Sequence, residues 1–393
     1  MPSLQPEEFR LLITGGGTGG HTYPALTTVR ALTARLTTRG IATRVVWAGS
    51  PDGLEATVAA SEGIPFQPLA TGKVRRGRTP WGMLTARNAQ DMVQVARGVV
   101  QARSIVHQFR PDVVLSTGGY AAVPIGVAAR HLRRPLVVHE QTVRLGLANR
   151  VLVRGATRVA ISESSSLDLL PPRVRERTVV TGNPIRPELM SGEPTRAVAA
   201  LDLHAFDPGK PVVYVTGGAQ GAVQINRLVS ESLPWLLERA NVIHQCGSSN
   251  VGALAERAAD LPAHLTVRYR ALGFITHAMP DVLALADLVV ARSGAGTIAE
   301  LTALGKASVL VPLATSAGNE QAHNARRLRD VGAAVVLEGD VAAGQLKSAL
   351  GPLLTSRDRR QGMARAARAH GRPDAAQRLV DVLLEAAGAA ASR

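Results

Sequence analysis

Cysteine is almost missing from this 393-residue chain, where Cys246 is the only one. No intrachain disulfide can form and no cysteine-based metal cluster can be assembled. Aromatic residues make up 3 % of the sequence against 46 % hydrophobic residues overall, so Val, Leu and Ala must do the packing. Acidic residues are short too: 30 Asp and Glu stand against 45 Lys and Arg, a formal charge of +15, and lysine is confined to Lys73, Lys210, Lys306 and Lys347. Such an excess asks for an anionic partner, and nucleic acid, anionic lipid and a phosphorylated substrate all satisfy it. No Asp-x-Asp pair occurs and the carboxylates do not cluster in the way Mg²⁺ needs, so no metal and no other cofactor is expected. The opening MPSLQPEEFR lacks the apolar centre of a secretory signal. Only residues 113–129 form a long apolar stretch. Gly118, Gly119, Pro124 and Gly126 divide it into strand, turn and short helix, unlike the roughly 20 apolar residues of a spanning helix. A protein without a membrane span, in the cytoplasm, is the expectation.

What is present is a rhythm. Short apolar runs at 11–14, 43–48, 113–116, 136–139, 158–161 and 178–181 alternate with helical stretches. A second series follows at 212–216, 241–246, 265–268, 288–291, 308–312 and 334–337. Most runs are continuously apolar, as strands buried on both faces of a parallel sheet are. The alternation predicts an α/β protein of doubly wound sheets. Gly182-Asn183-Pro184-Ile185-Arg186-Pro187 reads as a linker, which sets an N-terminal domain at 1–182 and a C-terminal domain at 183–371. An amphipathic helix within about 372–393 could cap the second domain or pack back on the first.

Each half opens with a glycine-rich loop: Gly15-Gly16-Gly17-Thr18-Gly19-Gly20-His21 and Gly217-Gly218-Ala219-Gln220-Gly221. Strand, tight turn and helix together bring backbone N–H groups and a helix N-terminus up to a phosphate. Two such units predict similar domains sharing a cleft and a nucleotide-linked substrate. Gly15-x-Gly17-x-x-Gly20 formally matches a dinucleotide fingerprint, but the second strand ends Trp47-Ala48-Gly49-Ser50 without the acidic residue that would bind a ribose. Nicotinamide and flavin are therefore disfavoured. His21 is either a helix-start residue bonded to nearby backbone or a general base or phosphate contact.

Arg292-Ser293-Gly294-Ala295-Gly296-Thr297 follows a buried-type run and leads into a helix start suited to a diphosphate. Thr297-x-x-Glu300 has the spacing of a capping box, so Glu300 is either a cap or an acceptor for ribose hydroxyls. Glu320 and Gln321 open a later helix, where they can meet sugar hydroxyls or simply form a polar first turn. His139-Glu140-Gln141-Thr142 ends a strand, with Asn149-Arg150 one loop later, and lacks the second histidine of a zinc-protease helix. Residues 72–84 mix Lys73, Arg75, Arg76 and Arg78 with Trp81, Met83 and Leu84. They read as a solvated loop or as a patch for an anionic membrane surface. They lack the interleaved aromatics of a nucleic-acid stacking platform, and no nucleic acid is expected as a partner.

Six motifs in order carry a resemblance over nearly the whole chain: Gly16-Gly17-Thr18-Gly19-Gly20-His21, Gly118-Gly119-Tyr120, His139-Glu140-Gln141, Gly182-Asn183-Pro184-Ile185-Arg186, Gly217-Gly218-Ala219-Gln220-Gly221-Ala222 and Arg292-Ser293-Gly294-Ala295. Together they resemble the MurG family of bacterial glycosyltransferases (family 28). The resemblance implies a GT-B fold of two Rossmann-like domains facing a cleft. It also implies inverting transfer of N-acetylglucosamine from UDP-N-acetylglucosamine to the muramyl 4-hydroxyl of undecaprenyl-diphospho-muramyl-pentapeptide, in peptidoglycan synthesis. By the same resemblance the enzyme is peripheral, on the cytoplasmic face of the cell membrane. Carried over by motif, His21 is the base, with Glu140 the second choice. Thr18, Gly19 and Gly20 approach the donor diphosphate or the acceptor, while Tyr120, His139, Thr142 and Asn149 line the acceptor side. Arg186 and Ala219 lie beside the nucleotide, and Ile275 touches uracil. Ala295, Gly296, Thr297, Ile298, Ala299 and Glu300 hold phosphate and ribose; Gln321, helped by Glu320, holds the sugar. Two positions depart from the family pattern: Thr142 replaces an Asn and Ala219 a Ser. Other readings are a GT-B enzyme acting on another lipid such as diacylglycerol, a related sugar-nucleotide epimerase, and a non-catalytic sugar-nucleotide-binding or membrane-binding protein.

Overall fold

In a computed structural model, which describes residues 8–70 and 86–391, the chain divides into two compact units. One runs to Ile185 and takes back the chain from Asp374 onward; the other is Arg186–Pro373.

The first unit is built on a seven-stranded parallel sheet, in the order β3-β2-β1-β4-β5-β6-β7. Its strands are β1 (Glu8–Thr14), β2 (Ala42–Gly49), β3 (Phe66–Pro68), β4 (Val113–Ser116), β5 (Leu136–Glu140), β6 (Arg158–Ile161) and β7 (Thr178–Val180). Successive side chains of a strand enter opposite faces, and here both faces are covered. Leu12, Val46, Val114 and Val138 pack against Ala102, Val106 and Ile125 of the helices Ala86–Phe109 and Ala122–His131. Leu11, Ile13, Trp47 and Leu115 pack against Val29 and Leu32 of the helix Gly19–Thr37 and against Leu379 and Leu383 of the C-terminal helix Ala375–Ala391. That last helix is also stapled by Arg158 to Glu385 (2.6 Å) and by an Arg35–Asp381 ion pair.

The second unit repeats the plan with six parallel strands in the order β10-β9-β8-β11-β12-β13. They are β8 (Val212–Thr216), β9 (Asn241–Gln245), β10 (Tyr269–Leu272), β11 (Leu288–Ala291), β12 (Ser308–Leu310) and β13 (Val335–Val336). Val213, Val215, Val242 and Val290 enter one apolar cluster, and Val212, Tyr214, Ile243 and Val289 the other. Among the described residues Trp47 and Tyr214 are the only aromatics in the set of largest fully buried side chains, so aliphatic residues fill both cores.

In each sheet the strand order reverses once, between β1 and β4 and between β8 and β11. Thr14 is level with Ala48 and Ser116, and Thr216 with Gln245 and Ala291, so the loops that follow leave at one height. Open parallel sheets bind ligands at such a reversal, beyond the carboxyl ends of the strands.

Residues 265–268, expected as a strand, instead end a short helix (Ala263–Thr266), and the strand is the next segment, Tyr269–Leu272. Pro262 starts that turn, and Leu265 donates to its carbonyl at 2.8 Å. β10 is a half-exposed edge strand, so it lacks the continuous apolar run that marks the central strands. The edge strand β3 had no sequence signal. Residues 113–129 resolve into β4, a Gly118-Gly119 turn and the start of a helix. Among the described residues no helix is long and apolar enough to cross a membrane. The basic segment 72–84 lies outside the described residues.

Candidate active site

In the first unit, the loop after β1 is shaped by a residue that the motifs did not include. Glu55 is 1 % exposed, and its carboxylate accepts from the Gly17 amide (2.8 Å) and the Ser50 amide (3.0 Å). A Cβ on Gly16 would stand 2.1 Å from its Cδ, so only glycine lets the loop close over this carboxylate. The Trp47 indole donates to the Gly15 carbonyl at 3.1 Å. The loop after β4 rests on the first: a Cβ on Gly119 (φ +90°) would meet the Gly16 carbonyl oxygen at 2.8 Å. Thr18 then starts the helix without capping it by its side chain. The amides of Gly19 and Gly20 have no partner among the described residues, while His21 turns its own back to the Thr18 carbonyl.

His21 is not bonded through its ring to nearby backbone. Its Nδ1 lies 3.0 Å from Gln141 Oε1, and Gln141 Nε2 lies 3.1 Å from His139 Nδ1. His139 Nε2 in turn lies 3.0 Å from the Gly182 carbonyl. Burial holds the His139 imidazole down to about 4, against the pull of its bond to Gly182, and His21 lowers it further.

Glu140, 2 % exposed, accepts from the Thr142 amide (3.1 Å), the Gly146 amide (2.8 Å) and Asn149 Nδ2 (2.9 Å). The Thr142 hydroxyl lies 2.8 Å from the same carboxylate and 2.7 Å from the Arg144 carbonyl, so the shorter Thr bridges Glu140 to the following loop. So bonded, Glu140 holds the loop from Thr142 to Asn149 in place. Asn149 is 1 % exposed, and its Oδ1 has no donor among the described residues. Gly118 joins the two groups, since a Cβ there would meet both His21 Cε1 and Asn149 Nδ2 at 3.3 Å. Tyr120, just past this turn, is 62 % exposed.

In the second unit the helix start after β11 is open. Gly294 is the N-cap, and the amides of Ala295, Gly296 and Thr297 have no partner among the described residues. A Cβ on Gly294 or Gly296 would meet nothing within 4 Å. The capping-box reading of Thr297 and Glu300 therefore fails: the cap lies three residues before Thr297. Ile298 and Ala299 continue the helix, with Ile298 turned into the core. Glu300 is free of any capping role and pairs with Arg186 at 3.4 Å, both side chains part-exposed. Burial pushes the Glu300 carboxyl above its ordinary range, and Arg186 offsets part of that.

Ser293 ties this start to the next helix, Glu320–Asp330: its hydroxyl donates to the Gln321 carbonyl at 2.7 Å, and Asn324 donates to the Ser293 carbonyl at 3.1 Å. Gln321 Oε1 accepts from the Leu313 amide at 3.0 Å, which fixes the side chain beside the half-buried Glu320. Arg292 lies 2.9 Å from Gln224 Oε1, 2.9 Å from the Val311 carbonyl and 3.1 Å from the Pro312 carbonyl, and so fastens the ends of neighbouring elements.

Gln245, also absent from the expected residues, links the other side of the unit. It accepts from the Ile275 amide (3.0 Å) and donates to the Gly218 carbonyl (3.0 Å). Tyr214 reaches the same Gln245 at 3.4 Å; burial above all raises its phenol, with Glu300 adding to the rise and Arg186 opposing it. Ile275, Arg186 and Glu300 are thus gathered at the ends of β8, β9 and β11. Ala219 stands exposed at the tip of its loop. Glu55 and Gln245 are single polar residues far in sequence from the loops they hold; only their burial against backbone amides marks them.

Two doubly wound sheets, each with open amides where its strand order reverses, are the architecture of a GT-B glycosyltransferase. Residues 11–161 match the glycosyltransferase family 28 N-terminal domain, and residues 212–379 the glycosyltransferase family 28 C-terminal domain. An Oenococcus oeni protein named UDP-N-acetylglucosamine–N-acetylmuramyl-(pentapeptide) pyrophosphoryl-undecaprenol N-acetylglucosamine transferase is 34 % identical over 96 % of this chain and 97 % of its own length. A protein of the same name from Listeria welshimeri is 35 % identical over 95 % and 99 %. The solved structure of Acinetobacter baumannii MurG superposes with a TM-score of 0.74 at 29 % identity, covering 96 % of this chain and 99 % of that one. A UDP-N-acetylglucosamine 2-epimerase from Neisseria meningitidis shares the fold alone, with a TM-score of 0.65 at 14 % identity, covering 96 % and 100 %. The chain belongs to glycosyltransferase family 28 and, within it, to the MurG family of N-acetylglucosamine transferases.

Proposed function

We propose that this chain transfers N-acetylglucosamine from UDP-N-acetylglucosamine to the muramyl 4-hydroxyl of undecaprenyl-diphospho-muramyl-pentapeptide, with inversion and without a metal. Relatives named for this transfer match 95–96 % of the chain. The observation that carries the mechanism is an imidazole held, among the described residues, only by its Nδ1, in a chain whose other unit has a helix start left open by those residues next to an Arg–Glu pair.

His21 takes the proton from the acceptor hydroxyl as its oxygen attacks the anomeric carbon from the face opposite UDP, giving a β-linkage. Asn149 Oδ1, which lacks a donor among the described residues, receives an N–H or O–H of the acceptor beside His21. Glu140 keeps that loop in shape and does not take the proton. The amides of Gly19 and Gly20, with Thr18, face the acceptor's diphosphate. Charge developing on UDP is met by the amides of Ala295, Gly296 and Thr297 and by Arg186, which stand in for a metal. Glu300 accepts from the ribose hydroxyls, Ile275 borders the uracil, Ala219 offers its backbone beside the phosphates, and Gln321 with Glu320 holds the sugar. The formal charge of +15, with the basic segment 72–84, docks the enzyme on the anionic cytoplasmic face of the membrane, where the lipid acceptor lies.

The test is release of UDP from UDP-N-acetylglucosamine in EDTA, with and without a polyprenyl-diphosphate-muramyl-pentapeptide. Release that requires this acceptor and survives EDTA is expected. Conversion of the sugar nucleotide to its epimer without any lipid and without net UDP release would indicate an epimerase, and release only with diacylglycerol would move the acceptor to another lipid. Saturable UDP binding with no release would indicate a non-catalytic protein.

A further inference from the structure

Gln141 lies between two imidazoles, and the bonds around it fix where each proton must be. His139 Nε2 is 3.0 Å from the Gly182 carbonyl, which can only accept, so His139 carries its proton on Nε2. The ring is fully buried and burial holds its pKa to about 4, so it is neutral and Nδ1 is a bare lone pair. That lone pair needs a donor. The Gln141 amide must therefore present Nε2 to His139, 3.1 Å away, and Oε1 to His21. Nε2 also lies 3.3 Å from the His139 carbonyl, a position where the reversed amide would place two oxygens together. Oε1 is an acceptor only, so the His21 Nδ1 that faces it at 3.0 Å must be an N–H.

We infer that His139 and Gln141 are positioning residues that lock neutral His21 in its Nδ1–H form, leaving the Nε2 lone pair as the proton acceptor of the transfer. A free neutral imidazole prefers the opposite tautomer, in which Nε2 is protonated and cannot act as a base. When Nε2 takes the acceptor's proton, the Nδ1–H bond to Gln141 stays as it was and no proton passes to Gln141 or His139. The inference rests on His21 as the base, and its test separates the two.

Nitrogen-15 spectroscopy of the ring nitrogens reads the tautomer directly in the full chain at alkaline pH, with the His21 signals identified by their loss in His21→Ala. The wild type should show a protonated Nδ1 and a bare Nε2. In Gln141→Leu the tautomer should revert mainly to Nε2–H, with transfer slowed about 10–100-fold, by analogy with the loss seen when the partner that orients a metal-bound histidine is removed, and UDP affinity unchanged. His139→Phe frees the amide to turn over and should give a mixture. His139→Asn keeps an oxygen acceptor at the place of Nδ1 and should retain the Nδ1–H form. A wild-type His21 protonated on Nε2 overturns the inference without any variant having to fold, and so does a tautomer unchanged in both Gln141→Leu and His139→Phe. A tautomer that switches while transfer runs at the wild-type rate overturns the proton-acceptor role of His21.

Discussion

At the end of β1 the Gly17 amide turns inward to a buried carboxylate, Glu55, and two histidines joined by Gln141 stand close by. At the end of β11 the first three helix amides are open, no side chain would obstruct a Cβ on Gly294 or Gly296, and Arg186 adds a positive charge. Both are strand, glycine turn and helix at the point where a parallel sheet reverses its order. In the proposed mechanism the first places the base, with the Gly19 and Gly20 amides turned to the acceptor's diphosphate, and the second meets the charge developing on UDP. The difference lies in what occupies the amides and which charge lies beneath the turn, and the glycines themselves do not specify it.

Substituting equivalent glycines should separate the two turns most strongly. Gly16→Ala drives a Cβ to 2.1 Å from the Glu55 carboxyl carbon. Overpacking plus loss of the two amide bonds should cost roughly 3 kcal/mol or more in urea unfolding. Gly296→Ala meets open space within a helix, so unfolding should show a gain of about 0.5–1 kcal/mol while donor affinity falls.

Acid should erase part of the contrast, because each unit hides one neutral histidine. Burial lowers His139 and His244 from 6.5 to about 4. A depressed histidine leaves the folded form with fewer protons than the unfolded form, so stability is lost as pH falls from 6.5 toward 4. The loss is about 3 kcal/mol for each unit, at roughly 1.4 kcal/mol per pH unit. Unfolding free energies measured across that range test it, and a flat profile would mean that neither imidazole is neutral when buried.

Glu300→Gln should cut UDP-N-acetylglucosamine affinity about tenfold, the worth of a charge-assisted bond to ribose exchanged for a neutral one. The Glu300 carboxyl is raised by burial, so its charged form is a burden once pH exceeds the ordinary carboxylate range. The variant should therefore be no less stable at neutral pH, and calorimetry beside isothermal titration would show the two effects apart. The smallest effect belongs to the C-terminal helix: Asp381→Ala removes an exposed ion pair with Arg35 and should lower stability by less than about 1 kcal/mol.

The central strands were legible because burial on both faces leaves a continuous apolar run, as in 113–116 and 288–291. β10 was misplaced by one short segment because an edge strand exposes one side and loses that signature. At the site, Gly-Gly-Thr-Gly-Gly-His and Arg-Ser-Gly-Ala were legible as turns, but their electrostatics were not. Glu55 lies 38 residues from the Gly17 amide it binds, and Gln141 lies 120 from His21. Spacing along the chain carries no trace of such pairings, which arise only when β1, β2 and β5 lie in one sheet. The same holds for Thr297 and Glu300, whose spacing suggested a cap until the backbone placed the cap at Gly294.

The division of labour between the two turns is tested most directly by measuring transfer and UDP-N-acetylglucosamine binding together in His21→Ala. The account predicts transfer lower by about 10²–10⁴-fold, as for loss of a general base, with donor affinity at the wild-type value. Transfer at the wild-type rate, or a loss of donor affinity that explains the fall, would contradict it.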